Sequence, residues 1–204
     1  MDDKFIDDEE KLISWIKENY KNIFIGFIIG LSFVLSYKYH QDSQNNLNAD
    51  LSYEYQIAID KYNSGDKVYL MNKAEELSTN YPSNTYTNLI NLYVVKHLVD
   101  NDKISEAFDI LNHIIENTTS ENIKNLAYIR KIRLLVSDNR LDEALTIIKK
   151  INNNQNYLLL ELSGDIYYKQ NNINLARDAY NEVLRFDITP NKRKLIENKI
   201  SSIQ

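Results

Sequence analysis

The side chains in this 204-residue chain best suited to acid–base or metal chemistry are three histidines, His40, His97 and His113, and twenty-nine aspartates and glutamates. His97 and His113 fall on neighbouring predicted helices and could approach each other, but no further ligand stands at the spacing that a metal needs. His40 borders a long apolar run, where an imidazole snorkels to the interface. The absence of cysteine excludes thiol nucleophiles, disulfides, thiolate metal sites and a lipid-modified N-terminal cysteine. Four glycines form neither a phosphate-cradling loop nor a nucleophile elbow. Most acidic residues alternate with lysines on predicted solvent faces. The expectation is therefore a non-enzymatic chain with no catalytic residue, cofactor or metal. Its net charge of -5 argues against nucleic acid as a partner.

Two prolines and four glycines leave little material for tight turns, and the fold class expected is all-α. Residues 1–22 read as a tail in which Leu12, Ile13, Trp15, Ile16 and Tyr20 recur near helical spacing between Glu9, Lys11, Lys17 and Glu18, a pattern that lies along a membrane surface. Residues 23–39 carry no charge before Lys38. At a helical rise these seventeen residues span about 25 Å, enough for a thin lipid bilayer core anchored by Tyr20, Tyr37, Tyr39 and lysines. Tyr-Lys-Tyr-His-Gln follows where a cleavage site would need small residues, so an uncleaved signal anchor is expected. Lys4, Lys11, Lys17 and Lys21 precede it against Lys38 just after, which places the N-terminus in the cytoplasm and residues 40–204 in the periplasm of a Gram-negative bacterium. Gly26 and Gly30 form a small-xxx-small pair for membrane helix contact. Gln41–Asn48 is polar enough for a juncture. The frequent asparagines, including Asn152–Asn154, read as compositional bias.

Beyond residue 42 the chain reads as helices of ordinary length separated by polar breaks at Asn63–Asp66, Asn80–Asn84 and Val99–Asp102. Aligning these breaks superimposes Asn101-Asp-Lys-Ile-Ser-Glu-Ala, Asp138-Asn-Arg-Leu-Asp-Glu-Ala and Gln170-Asn-Asn-Ile-Asn-Leu-Ala. The aligned Ala107, Ala144 and Ala176 lie 37 and 32 residues apart, bracketing the period of a tetratricopeptide repeat, so an α-solenoid of helix pairs is expected. The last unit resembles that pattern most closely, with Gly164, Tyr167, Ala176 and Tyr180 at its small and aromatic positions and Pro190 after them. Ile132 and Val95 replace the glycine in the earlier units, which predicts wider helix crossings there. A weaker pair is expected over 50–63 and 67–80, packed through Ala58 and Ala74. Asn191–Ile203 reads as a capping helix with Leu195, Ile196 and Ile200 turned inward.

A solenoid of this kind presents its first helices as a concave surface for a polypeptide. Projecting the repeat positions places Lys96, Arg133, Asp165, Tyr168 and Lys169 on that side as a partner-binding groove, with Leu89, Leu92 and Ile129 lining it. The acidic tail, the single early span, Ser14-Trp-Ile-Lys-Glu-Asn-Tyr20 and Gly164-Asp-Ile-Tyr…Asp187-Ile-Thr-Pro190 together resemble the YfgM-like ancillary subunits of the bacterial SecYEG translocon. That resemblance implies an inner-membrane scaffold partnered by the translocon and by a membrane-anchored periplasmic chaperone of the prolyl-isomerase type, assisting newly translocated proteins. An assembly factor for another cell-envelope complex is the alternative that sequence alone barely separates from it.

Overall fold

The computed structural model describes residues 3–151 and 156–203, with side chains from residue 11 onward. The side chains of Lys4 and Glu9 and the run Asn152–Asn154 lie outside the described residues. The chain divides into two compact units, residues 1–53 and 54–204. Among the described residues every regular element is an α-helix: α1 (Asp3–Asn63), α2 (Lys67–Asn80), α3 (Thr85–Asp100), α4 (Ile104–Asn117), α5 (Glu121–Ser137), α6 (Leu141–Ile151), α7 (Tyr157–Lys169), α8 (Ile173–Val183) and α9 (Pro190–Ser202).

In the first unit, residues 23–39 are helical and exposed all round, with Phe27 66% and Phe33 74% accessible. This stretch of α1 is apolar and long enough to cross a membrane, and none of its apolar window is buried within the chain. Its Ser32 hydroxyl donates back to the Ile28 carbonyl at 2.8 Å, so the one hydroxyl near mid-span needs no solvent partner. Leu12, Ile13, Trp15, Ile16 and Tyr20 are likewise exposed. Gln41–Asn48 is helical rather than a break, because it contains neither glycine nor proline to interrupt the backbone ladder.

The second unit stacks helix pairs. Four tight turns share one device: the second residue beyond each first helix adopts a left-handed conformation, Gly65 (φ 102°), Asp102 (57°), Asn139 (57°) and Asn171 (60°). The following backbone N–H reaches back to close the helix end, Asp66 to Lys61 O, Lys103 to Leu98 O, Arg140 to Leu135 O and Asn172 to Tyr167 O, all within 2.8–2.9 Å. Asparagine and aspartate tolerate this conformation better than other side chains. Two of the frequent asparagines therefore set the repeat turn, a role that a reading of bias misses. Asp66, Asn84, Ser120, Asn156 and Thr189 cap helices by accepting from backbone N–H groups two or three residues on.

Ala107, Ala144 and Ala176 are fully buried at equivalent places, and Ala58 and Ala74 are buried on the first pair. First helices also stack on one another, α3 on α5 and α5 on α7. One apolar cluster joins Ile132, Leu135, Ala144, Leu159 and Ile166 across α5, α6 and α7; another joins Ala176, Tyr180, Val183, Ile196 and Ile203 across α8 and α9. The α7–α8 pair packs most extensively, because Gly164 lets the Tyr180 ring lie on the α7 backbone. An added Cβ there would stand 2.4 Å from Tyr180 Cε1. At the start of this unit, Tyr55, Tyr62, Tyr86 and Tyr93 interleave, with ring centroids 5.8–6.4 Å apart.

The α9 helix closes the stack with Ile196 inward and Ile200 half-buried, whereas Leu195, expected inward, is 46% exposed. One residue of helical rotation separates Leu195 from Ile196, and the inward position goes to Ile196. Polar contacts fix α9 on α7. The nearly buried Glu161 pairs with Lys192 and with Lys199 (2.9 Å), and Lys199 also reaches Asp165 at 2.6 Å. The Tyr180 hydroxyl donates to Asp165 at 2.7 Å. Burial alone would raise Glu161, but the hydrogen bonds from Lys192 and Lys199 outweigh it and hold the carboxyl below its usual range.

Two measurements check this packing. Gly164→Ala removes a helix-destabilising glycine yet should lose about 1–3 kcal/mol in chemical unfolding of the full chain, because Tyr180 is buried and hydrogen-bonded and cannot swing clear. Because its carboxyl is depressed on folding, Glu161 stabilises fully above the unfolded carboxyl range and loses that contribution as pH falls through the folded value. Unfolding free energies between about pH 6 and about pH 3 should therefore fall less steeply in Glu161→Gln than in the parent chain.

Candidate functional site

The first helices α3 and α5 lie side by side and leave a cleft of about 300 Å³ lined by Val95, Lys96, Val99, Asp100, Arg130, Arg133, Leu134 and Ser137. Positions 95, 96, 99 and 100 on α3, and 130, 133, 134 and 137 on α5, recur at the three- and four-residue spacing that puts side chains on one face. Val95 and Leu134 are buried and form apolar wall, while Lys96 and Arg133 are exposed. Ser137 satisfies itself by donating to the Leu134 carbonyl at 2.7 Å.

Arg130 holds the two helices together. Its guanidinium Nη1 donates to the Leu92 carbonyl of α3 at 2.7 Å across 38 positions of sequence. Burial lowers Arg130, Tyr93 opposes that effect, and the like charge of Arg133 adds to it. Among the described residues neither Lys96 nor Arg133 forms a salt bridge or hydrogen bond. The cleft thus offers apolar wall and an excess of positive charge side by side.

Of the five residues expected to form one groove, the structure brings Lys96 and Arg133 together in this cleft. Asp165 sits on α7 with its carboxylate engaged by Tyr180 and Lys199, so it is a fastening for α9 rather than an open contact. Tyr168 is 48% exposed and Lys169 exposed at the end of α7, outside the cleft. Leu92 and Ile129, expected to line the groove, are buried in the core at 2% and 6% exposure, because the inward faces of α3 and α5 take them; Leu89 is half-buried. Sequence reading missed Arg130, Val99 and Leu134. The signal was present in Arg130 and Arg133 three apart on a helix whose partner carries Lys96.

At Gly26 and Gly30 an added Cβ would meet nothing within 4 Å, so no packing inside this chain uses their small size. His97 lies edge-on to Tyr62 with centroids 6.3 Å apart, and His113 Nδ1 faces the Asn117 amide at 3.2 Å. Among the described residues no three of His, Cys, Asp and Glu gather as a metal site.

Comparison with known proteins gives a consistent picture. A protein named ancillary SecYEG translocon subunit from Escherichia coli (strain K12) is 24% identical over 198 residues, covering 97% of this chain and 95% of the relative. One of the same name from Buchnera aphidicola subsp. Acyrthosiphon pisum (strain APS) is 26% identical over 189 residues, covering 90% and 95%. Another from Aggregatibacter actinomycetemcomitans is 25% identical over 184 residues, covering 87% and 88%. No solved structure matches. The resemblance carried by the early apolar helix and the C-terminal repeat is therefore borne out over the length of the chain. The family model described as tetratricopeptide repeat-like domain matches residues 13–204, and with its stacked helix pairs, left-handed turns and Gly164–Tyr180 crossing the chain belongs to that family.

Proposed function

We propose that this chain is a non-enzymatic, single-pass inner-membrane helper of the SecYEG translocon. The observation that carries the proposal is the end-to-end similarity to a protein named as an ancillary subunit of that translocon, which spans both the apolar helix and the repeats. Residues 1–22 form the cytoplasmic tail, 23–39 the span and 40–204 the periplasmic domain. The lysine excess before the span supports this orientation, and the exposed apolar circumference of residues 23–39 supports burial in lipid.

In this reading the span supplies the address and the repeats the recruitment. Gly26 and Gly30, unused within the chain, admit close approach of a translocon helix. The α3–α5 cleft, with Lys96 and Arg133 at its surface, receives a membrane-anchored prolyl-isomerase-type chaperone or an emerging client. Both parties are tethered to one membrane, so effective concentration is high and a shallow cleft of modest affinity suffices.

Photocrosslinking the full-length protein in its membrane tests the assignment. A photoreactive residue at Phe27 should capture translocon subunits, and one at Tyr168, beside the exposed end of α7, a periplasmic chaperone or nascent client. Charge reversal of Lys96 and Arg133 together should abolish co-purification of the chaperone while leaving the Phe27 crosslink intact. A different envelope complex recovered at both positions would replace the translocon role with that of an assembly factor for that complex.

A further inference from the structure

We propose that the α3–α5 cleft selects an acidic polypeptide segment that carries one large apolar side chain. The apolar side chain enters beside Val99 and Leu134, and carboxylates on its flanks pair with Lys96 and Arg133. This rests on the reading of the repeats as a partner-binding surface, and it assigns the chemical class of that partner's segment.

Charge complementarity argues for this occupant. Three cations, Lys96, Arg130 and Arg133, share the cleft with a single carboxylate, Asp100, in a chain whose formal net charge is -5. Local charge therefore opposes the sign of the whole molecule. Some exposed cations elsewhere in the repeats have partners one turn away, as Arg140 with Glu143 at 2.7 Å and Lys103 with Glu106 at 3.0 Å, whereas others, such as Lys150 on α6, stand singly and without an apolar wall beside a second cation. Lys96 and Arg133 have no such partner among the described residues. Arg130 cannot swing out to serve a ligand, since it is committed to the Leu92 carbonyl. It instead keeps a fixed positive charge beneath the surface pair. A purely acidic ligand would leave the Val95, Val99 and Leu134 wall unused, and a purely apolar one would leave the cations without counterions. A volume of about 300 Å³ falls at the small end of ligand sites, which fits one side chain rather than a folded surface. A basic segment is disfavoured by the same charges.

Fluorescence anisotropy on the full chain in zwitterionic nanodiscs tests this directly. The probe is a fluorescein-labelled, C-terminally amidated peptide with a leucine flanked on each side by two glutamates. It should bind, and its affinity should fall as salt rises. Replacing its glutamates by glutamine should weaken binding about tenfold, as should the double variant Lys96→Gln/Arg133→Gln, the sum expected for two exposed ion pairs. Replacing its leucine by alanine should also weaken binding. Lys150→Gln, exposed on α6 and outside the cleft, should change nothing. Both cleft residues are exposed, and an unchanged melting curve by circular dichroism checks that the double variant folds. Equal binding of the glutamate and glutamine peptides, or equal binding to parent and double variant, overturns the inference. Were the Phe27 crosslinks to find another complex while the peptide discrimination held, the translocon role would fall and the ligand chemistry would stand. Translocon crosslinks without peptide discrimination would remove the acidic-segment inference alone.

Discussion

No helix pair in residues 54–203 can bury both of its apolar faces by itself. Each pair is amphipathic on two sides, and only a neighbour on each side removes that surface from water. The order of the unit follows from this constraint: α3 stacks on α5, α5 on α7, and the clusters around Ile132 and around Tyr180 share α7 between them. The left-handed turns at Gly65, Asp102, Asn139 and Asn171 serve the same end, since they fold each second helix back at the angle that lets the next pair fit. The cleft follows from the same stacking, as the space between the edges of α3 and α5.

What was legible in the sequence is what depends on near neighbours. Helix pairs, their breaks, and the buried Ala107, Ala144 and Ala176 all follow from periodicity, because a small residue is needed wherever paired helices cross. Gly164 was legible for the same reason. The illegible features depend on partners far along the chain. Asp165 is taken out of the groove by Lys199, 34 residues later, and Arg130 is turned into a brace by a carbonyl on α3. Helical phase errors account for Leu92, Ile129 and Leu195, since one position of rotation decides between core and surface. Asn139 and Asn171 were hidden by composition, where abundance concealed position.

The glycine positions show how one repeat differs from its neighbours. Where Gly164 accepts the Tyr180 ring, the equivalent places in earlier units hold Ile132 and Val95, both buried. Bulk is moved from one helix of the pair to the other, and space is filled either way. The final pair gains a hydroxyl at the crossing, which Asp165 accepts, so a packing choice at one glycine leads to the polar fastening of α9.

That fastening decides more than the stability of the last helix. An array of stacked units ends in an uncovered apolar face, and a second molecule can add to such a face head to tail, without closure, to give a growing fibre. Here the place is filled from within: Ile196 and Ile203 cover the apolar side, and Lys192 and Lys199 neutralise the acids that would otherwise stand open on α7. The α9 helix thus takes the apolar side of the last pair out of water and leaves a charged surface in its place.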